Sequence, residues 1–241
     1  MRTPPLDFLR DALLDAVAVL SPVDCAGCGA PDRSLCARCR AALAPSLAVH
    51  ALADGVSVHT AVGYAGVVRR TILAFKESGR TDVARALAAP LTAALSAALG
   101  GKSNVSIVPV PASRAALRRR GYDPVVLLCR RAGHRPERLL VQVRRTRSQK
   151  TLGAADRARN LGGSMRARRD LVGLRVVLVD DVLTTGASLS EAARAVTEAG
   201  GVVVCCVALA FTPRLFGATR DGAGSQSDIA AERVYGEPQG A

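Results

Sequence analysis

The chain has 241 residues, of which 49% are hydrophobic, 22% are charged and 3% are aromatic. This length and apolar content suffice for one α/β domain with a small accessory module, and they exclude a chain that is disordered over most of its length. The 33 Lys and Arg residues exceed the 20 Asp and Glu residues, which gives a net charge of +13. Trp is absent, so the chain is poorly supplied for stacking single-stranded bases on aromatic side chains.

Residues 1–24 are predicted to form an N-terminal amphipathic helix. Leu and Val recur there at helical spacing, and Asp7, Asp11 and Asp15 interrupt the apolar run that a signal peptide needs. Without an export signal the expected location is the cytoplasm, where disulfides are uncommon. The apolar stretches of the chain are broken by charges and fall short of the ~20 residues of a transmembrane helix, so we expect no membrane span.

Residues 25–45 are predicted to form a small metal-binding module. They contain the pattern C-x₂-C-x₇-C-x₂-C, whose four thiols are Cys25, Cys28, Cys36 and Cys39. Two such pairs are typical of a Cys₄ zinc site. Because all four ligand positions are filled, the Zn²⁺ ion is expected to be structural. Two disulfides, or four free thiols, remain open as alternatives.

Residues 56–212 alternate between strand-like and helix-like segments. Strands are predicted at 56–64, 105–110, 139–143, 175–179 and 202–210, and helices at 66–77, 81–99, 114–120, 124–132 and 187–199. The polar residues 149–169 are predicted to form a mobile loop. Continuous apolar strands between helices indicate an α/β fold with a doubly wound, mostly parallel sheet. The tail 213–241 is rich in Gly, Ser and charges and is predicted to be flexible.

The positive charge is concentrated in one part of the chain. Residues 114–175 carry a net charge of +14, whereas the rest of the chain carries −1. Two explanations stay open: solvated helix faces, and a positive field directed at an anionic ligand. Lys76 lies outside that segment, at the end of an apolar helix. Two interpretations are open: its side chain points at the site, or it is a solvated helix end, which is the favoured interpretation.

The strongest motif is a strand that ends in two acids and is followed by a glycine loop. Asp180 and Asp181 end the strand, and the loop that opens the next helix consists of Thr184, Thr185, Gly186, Ala187 and Ser188. Amides at a helix N-terminus favour a phosphate, whereas an acid pair suits a neutral diol or a bridging cation. The combination predicts a sugar phosphate ligand. A simple cap and turn is the alternative, but it does not account for the desolvation of two acids.

Other phosphate motifs do not occur in the sequence. It contains no G-x-x-x-x-G-K-[ST] and no G-x-G-x-x-G after a strand. The segment VVLVDDVLTTGAS is instead very similar to the motif with which type I phosphoribosyltransferases bind phosphoribosyl pyrophosphate (PRPP). The segments YAGVVRRTILAFKESGRTDVARALA, VPVPASRAALRRRGYDP and RSQKTLGAADRARNLGGSM, with the cysteine cluster before them, resemble the ComF family. The resemblance covers roughly residues 23–212.

The resemblance implies a role for each matched segment. Asp180 and Asp181 would be the catalytic acids that hold the ribose 2- and 3-hydroxyls, partly through Mg²⁺, and Thr184–Ser188 would bind the 5-phosphate. A pyrophosphate loop would include Ala112, Ser113 and Arg114, and the loop that closes over the site would include Gln149, Arg157 and Asn160. Where family members usually carry Arg-Gly-Phe-Asn-Gln, this chain has Arg120-Gly121-Tyr122-Asp123-Pro124, so the amide pair is replaced.

The resemblance implies a glycosyltransferase that transfers the phosphoribosyl group of PRPP to an acceptor and releases pyrophosphate. A second hypothesis is a non-catalytic protein of DNA uptake or processing that binds PRPP and nucleic acid, with single-stranded DNA or the competence machinery as its partner. The +14 segment supports contact with nucleic acid, and the scarcity of aromatic residues opposes base stacking. A third hypothesis is a zinc-stabilised regulatory protein that senses PRPP without turnover.

Overall fold

The computed structural model describes residues 23–31, 33–143 and 163–212. The predicted N-terminal helix, the greater part of the predicted loop at 149–169 and the C-terminal tail lie outside these residues. One described helical stretch, Thr81–Leu99, has the length and apolar composition of a membrane span, but 56% of it is buried inside the protein. It packs on the central strands and is the main core helix of the domain.

The central sheet has five strands in the order β1-β2-β7-β6-β3. Its strands are β1 (Ala48–Ala51), β2 (Ser57–Gly63), β3 (Ser106–Pro109), β6 (Arg175–Leu183) and β7 (Val202–Phe211). All neighbours run parallel except β1, which pairs antiparallel with β2. A separate antiparallel pair is formed by β4 (Leu140–Gln142) and β5 (Met165–Ala167). The predicted mostly parallel α/β sheet is confirmed.

Helices connect the strands and cover both faces of the sheet. They are α1 (Ala37–Ala41), α2 (Gly66–Glu77), α3 (Ala84–Leu99, preceded by a 3-10 turn at Thr81–Val83), α4 (Arg114–Arg120), α5 (Pro124–Arg131) and α6 (Ala187–Glu198). Helices α2, α3 and α5 pack in one buried apolar cluster and α6 in the other. Strand β6 serves both clusters, since Val177 and Val179 enter the first whereas Val176 and Leu178 enter the second.

The cysteine module belongs to the first of these clusters. Cys25, Leu35, Cys39 and Leu43 are each no more than 4% exposed and share the cluster with Phe75 of α2. The module is therefore part of the same core as the helices on that face of the sheet.

The parallel strands place their carboxyl ends at one edge of the sheet, where the candidate site lies. Strand β6 continues to Leu183, beyond the predicted end at 179, so both acids lie within the strand. The extension occurs because β7 continues to Phe211, and its Ala208 and Phe211 pair with Asp180 and Leu183. The acids are thus held by strand pairing, and the loop to α6 begins only at Thr184.

Candidate functional site

The acid pair at the carboxyl edge of β6 is held by an ion pair with α2. The Lys76 Nζ lies 2.9 Å from the Asp181 Oδ1 and 2.8 Å from the Asp181 Oδ2. The backbone N–H of Asp181 donates to the Asp180 Oδ1 at 2.8 Å. Asp181 is 9% exposed and Asp180 is half-buried. Both carboxylates are therefore oriented before any ligand arrives.

Asp180 holds its proton more tightly than an ordinary aspartate does. Burial, together with the negative charge of Asp181, raises the pKa of Asp180 to about 7, against the opposing influence of Lys76 and the Asp181 amide. Burial alone would lower the pKa of Lys76, but the Asp181 carboxylate outweighs it and the pKa is raised. Asp180 consequently exchanges its proton near neutral pH, next to an ammonium group that stays charged.

The interpretation of Lys76 as a solvated helix end is wrong. Its side chain is 23% exposed and both oxygens of Asp181 engage its ammonium group. The signal was present in the sequence, because Lys76 lies four residues after Ile72, and such residues share one face of a helix. Ile72 is 1% exposed, so that face is the buried one.

The altered segment at 120–124 has structural contacts of its own. Asp123 is the N-cap of α5 and accepts a hydrogen bond from the Val126 N–H at 3.2 Å. Burial raises the pKa of Asp123, and the nearby charge of Asp181 adds to the shift. The Tyr122 hydroxyl donates to the Phe75 carbonyl oxygen in the last turn of α2, and the two rings lie 5.5 Å apart. This segment therefore fixes the end of α2 that carries Lys76.

The loop predicted to bind the 5-phosphate opens α6. Gly186 is its N-cap with φ +78°, a region that residues with a Cβ rarely adopt. A Cβ on Gly186 would also lie 2.5 Å from the Leu52 Cδ2, so the glycine is required for both conformation and space. Ala187 and Ser188 begin the helix, where the first amides have no carbonyl partner within the helix. Thr184 is exposed, and the Thr185 Oγ1 accepts the Ala187 N–H at 3.4 Å.

The predicted pyrophosphate loop follows β3 at the same edge of the sheet. The Val110 N–H donates to the Val179 carbonyl oxygen at 2.8 Å, which places the start of this loop beside Asp180. The Ser113 hydroxyl caps α4 by accepting the Ala116 N–H at 3.1 Å. Ala112 precedes it and the exposed Arg114 follows it. The structure thus brings the acids and both loops to one edge, whereas Gln149, Arg157 and Asn160 lie outside the described residues.

The four predicted zinc ligands converge. The sulfur atoms of Cys25, Cys28, Cys36 and Cys39 all lie within 4.8 Å of one another, and those of Cys28 and Cys36 are 3.7 Å apart. Zn–S bonds of about 2.3 Å place tetrahedral sulfurs about 3.8 Å apart, so the arrangement is compatible with structural zinc. All seven cysteines of the chain are among the described residues and are free thiols, which disfavours the two-disulfide alternative.

The thiols of the cluster differ in acidity. Burial raises the pKa of Cys25, but hydrogen bonds from the backbone N–H groups of Cys36, Gly27 and Cys28 outweigh it and lower that pKa to about 6. Burial, together with the neighbouring sulfurs, raises the pKa of Cys39 to about 12. A cation among the four sulfurs would favour the thiolate form of all of them.

The cysteine module is attached to the first half of α2 and to Arg80, which follows that helix. The Arg70 Nε donates to the Gly27 carbonyl oxygen, and the Arg80 guanidinium donates to the Asp24 carbonyl oxygen at 2.8 Å. A Cβ on Gly27 would lie 2.7 Å from the Cys39 sulfur and 3.0 Å from the Val67 Cγ1. Helix α2 therefore contacts the cysteine module through Val67 and Arg70 and the acid pair through Lys76.

A groove of about 590 Å³ lies near the amino ends of β6 and β7, whereas the acid pair lies at the carboxyl end of β6. Three arginines line it, namely Arg166, Arg168 and Arg169, together with Asp170 and Glu198. All three arginines are exposed. Part of the basic segment thus converges on one concave surface, separate from the candidate sugar phosphate site.

Residues 82–218, more than half of the chain, match the family described as the phosphoribosyl transferase domain. The chain belongs to this family. Among curated proteins, DNA utilization protein YhgH of Salmonella typhi is 35% identical over 103 residues, which cover 41% of this chain and 45% of that protein. The chain thus spans about half the length of that relative.

Longer matches connect this phosphoribosyl transferase domain protein with ComF. YhgH of Escherichia coli K12 is 30% identical over 60% of this chain and 67% of that protein. Competence protein ComFC of Bacillus subtilis is 28% identical over 73% of this chain and 72% of that protein. The predicted membership of the ComF family is confirmed. A crystal structure of adenine phosphoribosyltransferase covers 74% of this chain and 89% of its own at 14% identity, with a TM-score of 0.38.

Proposed function

We propose that this protein binds PRPP with Mg²⁺ and transfers its phosphoribosyl group to an acceptor with release of pyrophosphate. The observation that carries the proposal is the adjacent pair Asp180 and Asp181, oriented at the carboxyl edge of β6 and followed by the loop that opens α6. Open α/β sheets bind ligands at that edge. Membership of the phosphoribosyl transferase domain family supports the same ligand class.

Each part of the site would contact one part of PRPP. The amides at the start of α6 and the hydroxyls of Thr184 and Ser188 suit the 5-phosphate. The carboxylates of Asp180 and Asp181 accept hydrogen bonds and suit the ribose hydroxyls. Arg114, exposed at the start of α4, supplies a permanent positive charge for the pyrophosphate. Mg²⁺, when bound with the substrate, would neutralise part of the charge of the diphosphate.

In the reaction, the bond between the anomeric carbon and the pyrophosphate oxygen breaks, and its electron pair leaves with the pyrophosphate. A lone pair of the acceptor forms the new bond to that carbon, and the acceptor loses a proton to solvent. The transition state resembles an oxocarbenium ion, as in glycoside hydrolysis. The protein's contribution is to hold the ribose on its two acids and to stabilise the leaving charge with arginine.

Calorimetric titration of PRPP in the presence of Mg²⁺ tests the binding step. The double variant Asp180→Asn/Asp181→Asn should lose PRPP binding. Asp170→Asn is the matched control, because this exposed carboxylate lies at the opposite edge of the sheet and an amide preserves its hydrogen bond from the Val172 N–H. Unchanged binding in the double variant would refute the assignment. A pyrophosphate-release screen over candidate acceptors then separates transfer from sensing without turnover.

We also propose that the cysteine cluster holds one structural Zn²⁺ ion. The support is the convergence of four sulfurs at spacings that suit a tetrahedral ion. Elemental analysis of protein purified without chelator should find one zinc per chain, and Cys28→Ser should lower this value. Substantially less than one zinc in the wild-type protein would contradict the proposal.

A second candidate function is binding to the phosphate backbone of nucleic acid. It is favoured by the groove lined by Arg166, Arg168 and Arg169, and by relatives named for DNA utilization and competence. Replacement of all three by Ala should weaken binding to a single-stranded oligonucleotide and flatten the dependence of log K on log salt by about 0.7 per lost contact. A matched control replaces three exposed arginines elsewhere, namely Arg40, Arg69 and Arg85. Equal effects of the two triple variants would reject the groove.

A further inference from the structure

We propose that Lys76 is a positioning residue of the PRPP site, which fixes the Asp181 carboxylate so that its remaining lone pairs face the ribose hydroxyls. The inference rests on the proposed function of the acid pair and adds a residue from a different element. Lys76 lies on α2 and Asp181 on β6, 105 residues apart in sequence. The ammonium group nevertheless reaches both oxygens of the carboxylate, at 2.9 and 2.8 Å.

The geometry leaves the carboxylate able to bind a second partner. An ionised carboxylate offers about four acceptor positions, and the Lys76 ammonium uses one on each oxygen. The Asp181 side chain is 12% exposed, so a small part of it stays open to a ligand. The ammonium group thus fixes the rotamer without occupying the whole acceptor surface.

The charge balance gives Lys76 a second effect. Two adjacent carboxylates would repel the phosphates of PRPP, and a single ammonium group cancels one of these charges. Arg120, the other cation near this cluster, donates to the Glu77 carboxylate at 2.8 Å. Lys76 is therefore the cation that contacts the acid pair directly among the described residues.

The anchoring of Lys76 supports a positioning role. Phe75, the preceding residue, is 1% exposed, and its carbonyl oxygen accepts the hydroxyl hydrogen of Tyr122. Ile72, one turn earlier, is equally buried. The backbone that carries Lys76 is therefore fixed by core packing and by a hydrogen bond from Tyr122 in the turn between α4 and α5.

The experiment measures PRPP affinity by calorimetry with Mg²⁺ at pH 8 for wild type, Lys76→Met and Lys76→Arg, and the free energy of unfolding of each protein in urea. Lys76→Met removes the ammonium group that contacts both oxygens of Asp181, so it should bind PRPP at least about tenfold more weakly than the wild type. Lys76→Arg keeps the charge and the hydrogen-bond donors, so it should restore most of the affinity.

A lysine needed only for folding would give a different result. Lys76→Met would then lose stability in urea while the folded variant bound PRPP as tightly as the wild type, and this outcome overturns the proposal. An equal loss of affinity in Lys76→Met and Lys76→Arg would also overturn it, because the positive charge would then not be what orients Asp181. If the wild type does not bind PRPP, the proposed function fails. If the wild type binds PRPP and Lys76→Met binds it equally well, only the present inference fails.

Discussion

Replacement of Gly186 by Ala tests the geometry of the loop that opens α6. At φ +78° a residue with a Cβ is disfavoured by about 1–2 kcal/mol. The new Cβ would also lie 2.5 Å from the Leu52 Cδ2, and relief of such overpacking costs about 1–3 kcal/mol. Gly186→Ala should therefore lower the free energy of unfolding by about 2–5 kcal/mol in total.

Gly133→Ala isolates the conformational part of this cost. Gly133 has φ +84° and nothing lies within 4 Å of its Cβ position, so the substitution should cost only about 1–2 kcal/mol. Leu52→Ala isolates the steric part, because in that background Gly186→Ala should also cost only about 1–2 kcal/mol. The free energies come from equilibrium urea unfolding of the two single variants, the double variant and the control.

One combination of results would show that Leu52 does not restrict Gly186. If Gly186→Ala costs no more than Gly133→Ala, and if Leu52→Ala does not change that cost, the contact between Leu52 and Gly186 does not restrict the loop. The same variants report on ligand binding. A displaced loop should weaken calorimetric PRPP binding in Gly186→Ala, whereas Gly133→Ala should bind PRPP as the wild type does.

Three further predictions concern carboxylates, each checked by urea unfolding. The pKa of Asp180 is raised to about 7, so the stabilising contribution of this side chain is complete below about pH 4 and is lost as pH rises through 7. Asp180→Asn should therefore increase the free energy of unfolding by roughly 2–4 kcal/mol at pH 8 and should not increase it at pH 4. Arg194 outweighs burial and lowers the pKa of Glu191, so Glu191→Gln should cost about 1–2 kcal/mol at pH 7, and the cost should vanish as pH falls below 4. Asp123→Ala removes a helix cap and should cost about 1 kcal/mol more than Asp123→Asn, which retains the acceptor; equal costs would show that the cap contributes nothing.

Elements with clear start and stop signals were predicted closely. Helix α4 begins after the cap Ser113 and ends at Gly121, and the structure gives the predicted bounds. The bounds of α2 are also as predicted, since its apolar face repeats at helical spacing and Gly79 follows its end. The three-residue strand Met165–Ala167 was missed, because so short a segment carries no period and forms only through pairing with β4.

The candidate site also has a part that the sequence predicts and a part that it does not. The acids and the loop at 184–188 are contiguous, so one segment of sequence displays them together with their strand and helix. Their partners come from elsewhere: Lys76 contacts Asp181 and Leu52 contacts Gly186. These contacts depend on how α2 and the turn before β2 pack on the sheet, and no local pattern specifies that packing. Of these two contacts, the sequence indicates only that of Lys76, and only in part, because Lys76 lies on the buried face of α2.

The shared core has a consequence for any attempt to divide this protein. The predicted transferase domain begins at residue 56, yet a cut there would strip Cys25, Cys39 and Leu43 from the apolar surface around Phe75. It would also remove the outermost strand, β1, and with it the turn whose Leu52 lies against Gly186. Such a truncated fragment would expose apolar area on one face and remove a contact of the loop at 184–188 on the other. We therefore expect that a fragment able to fold on its own must include the cysteine module.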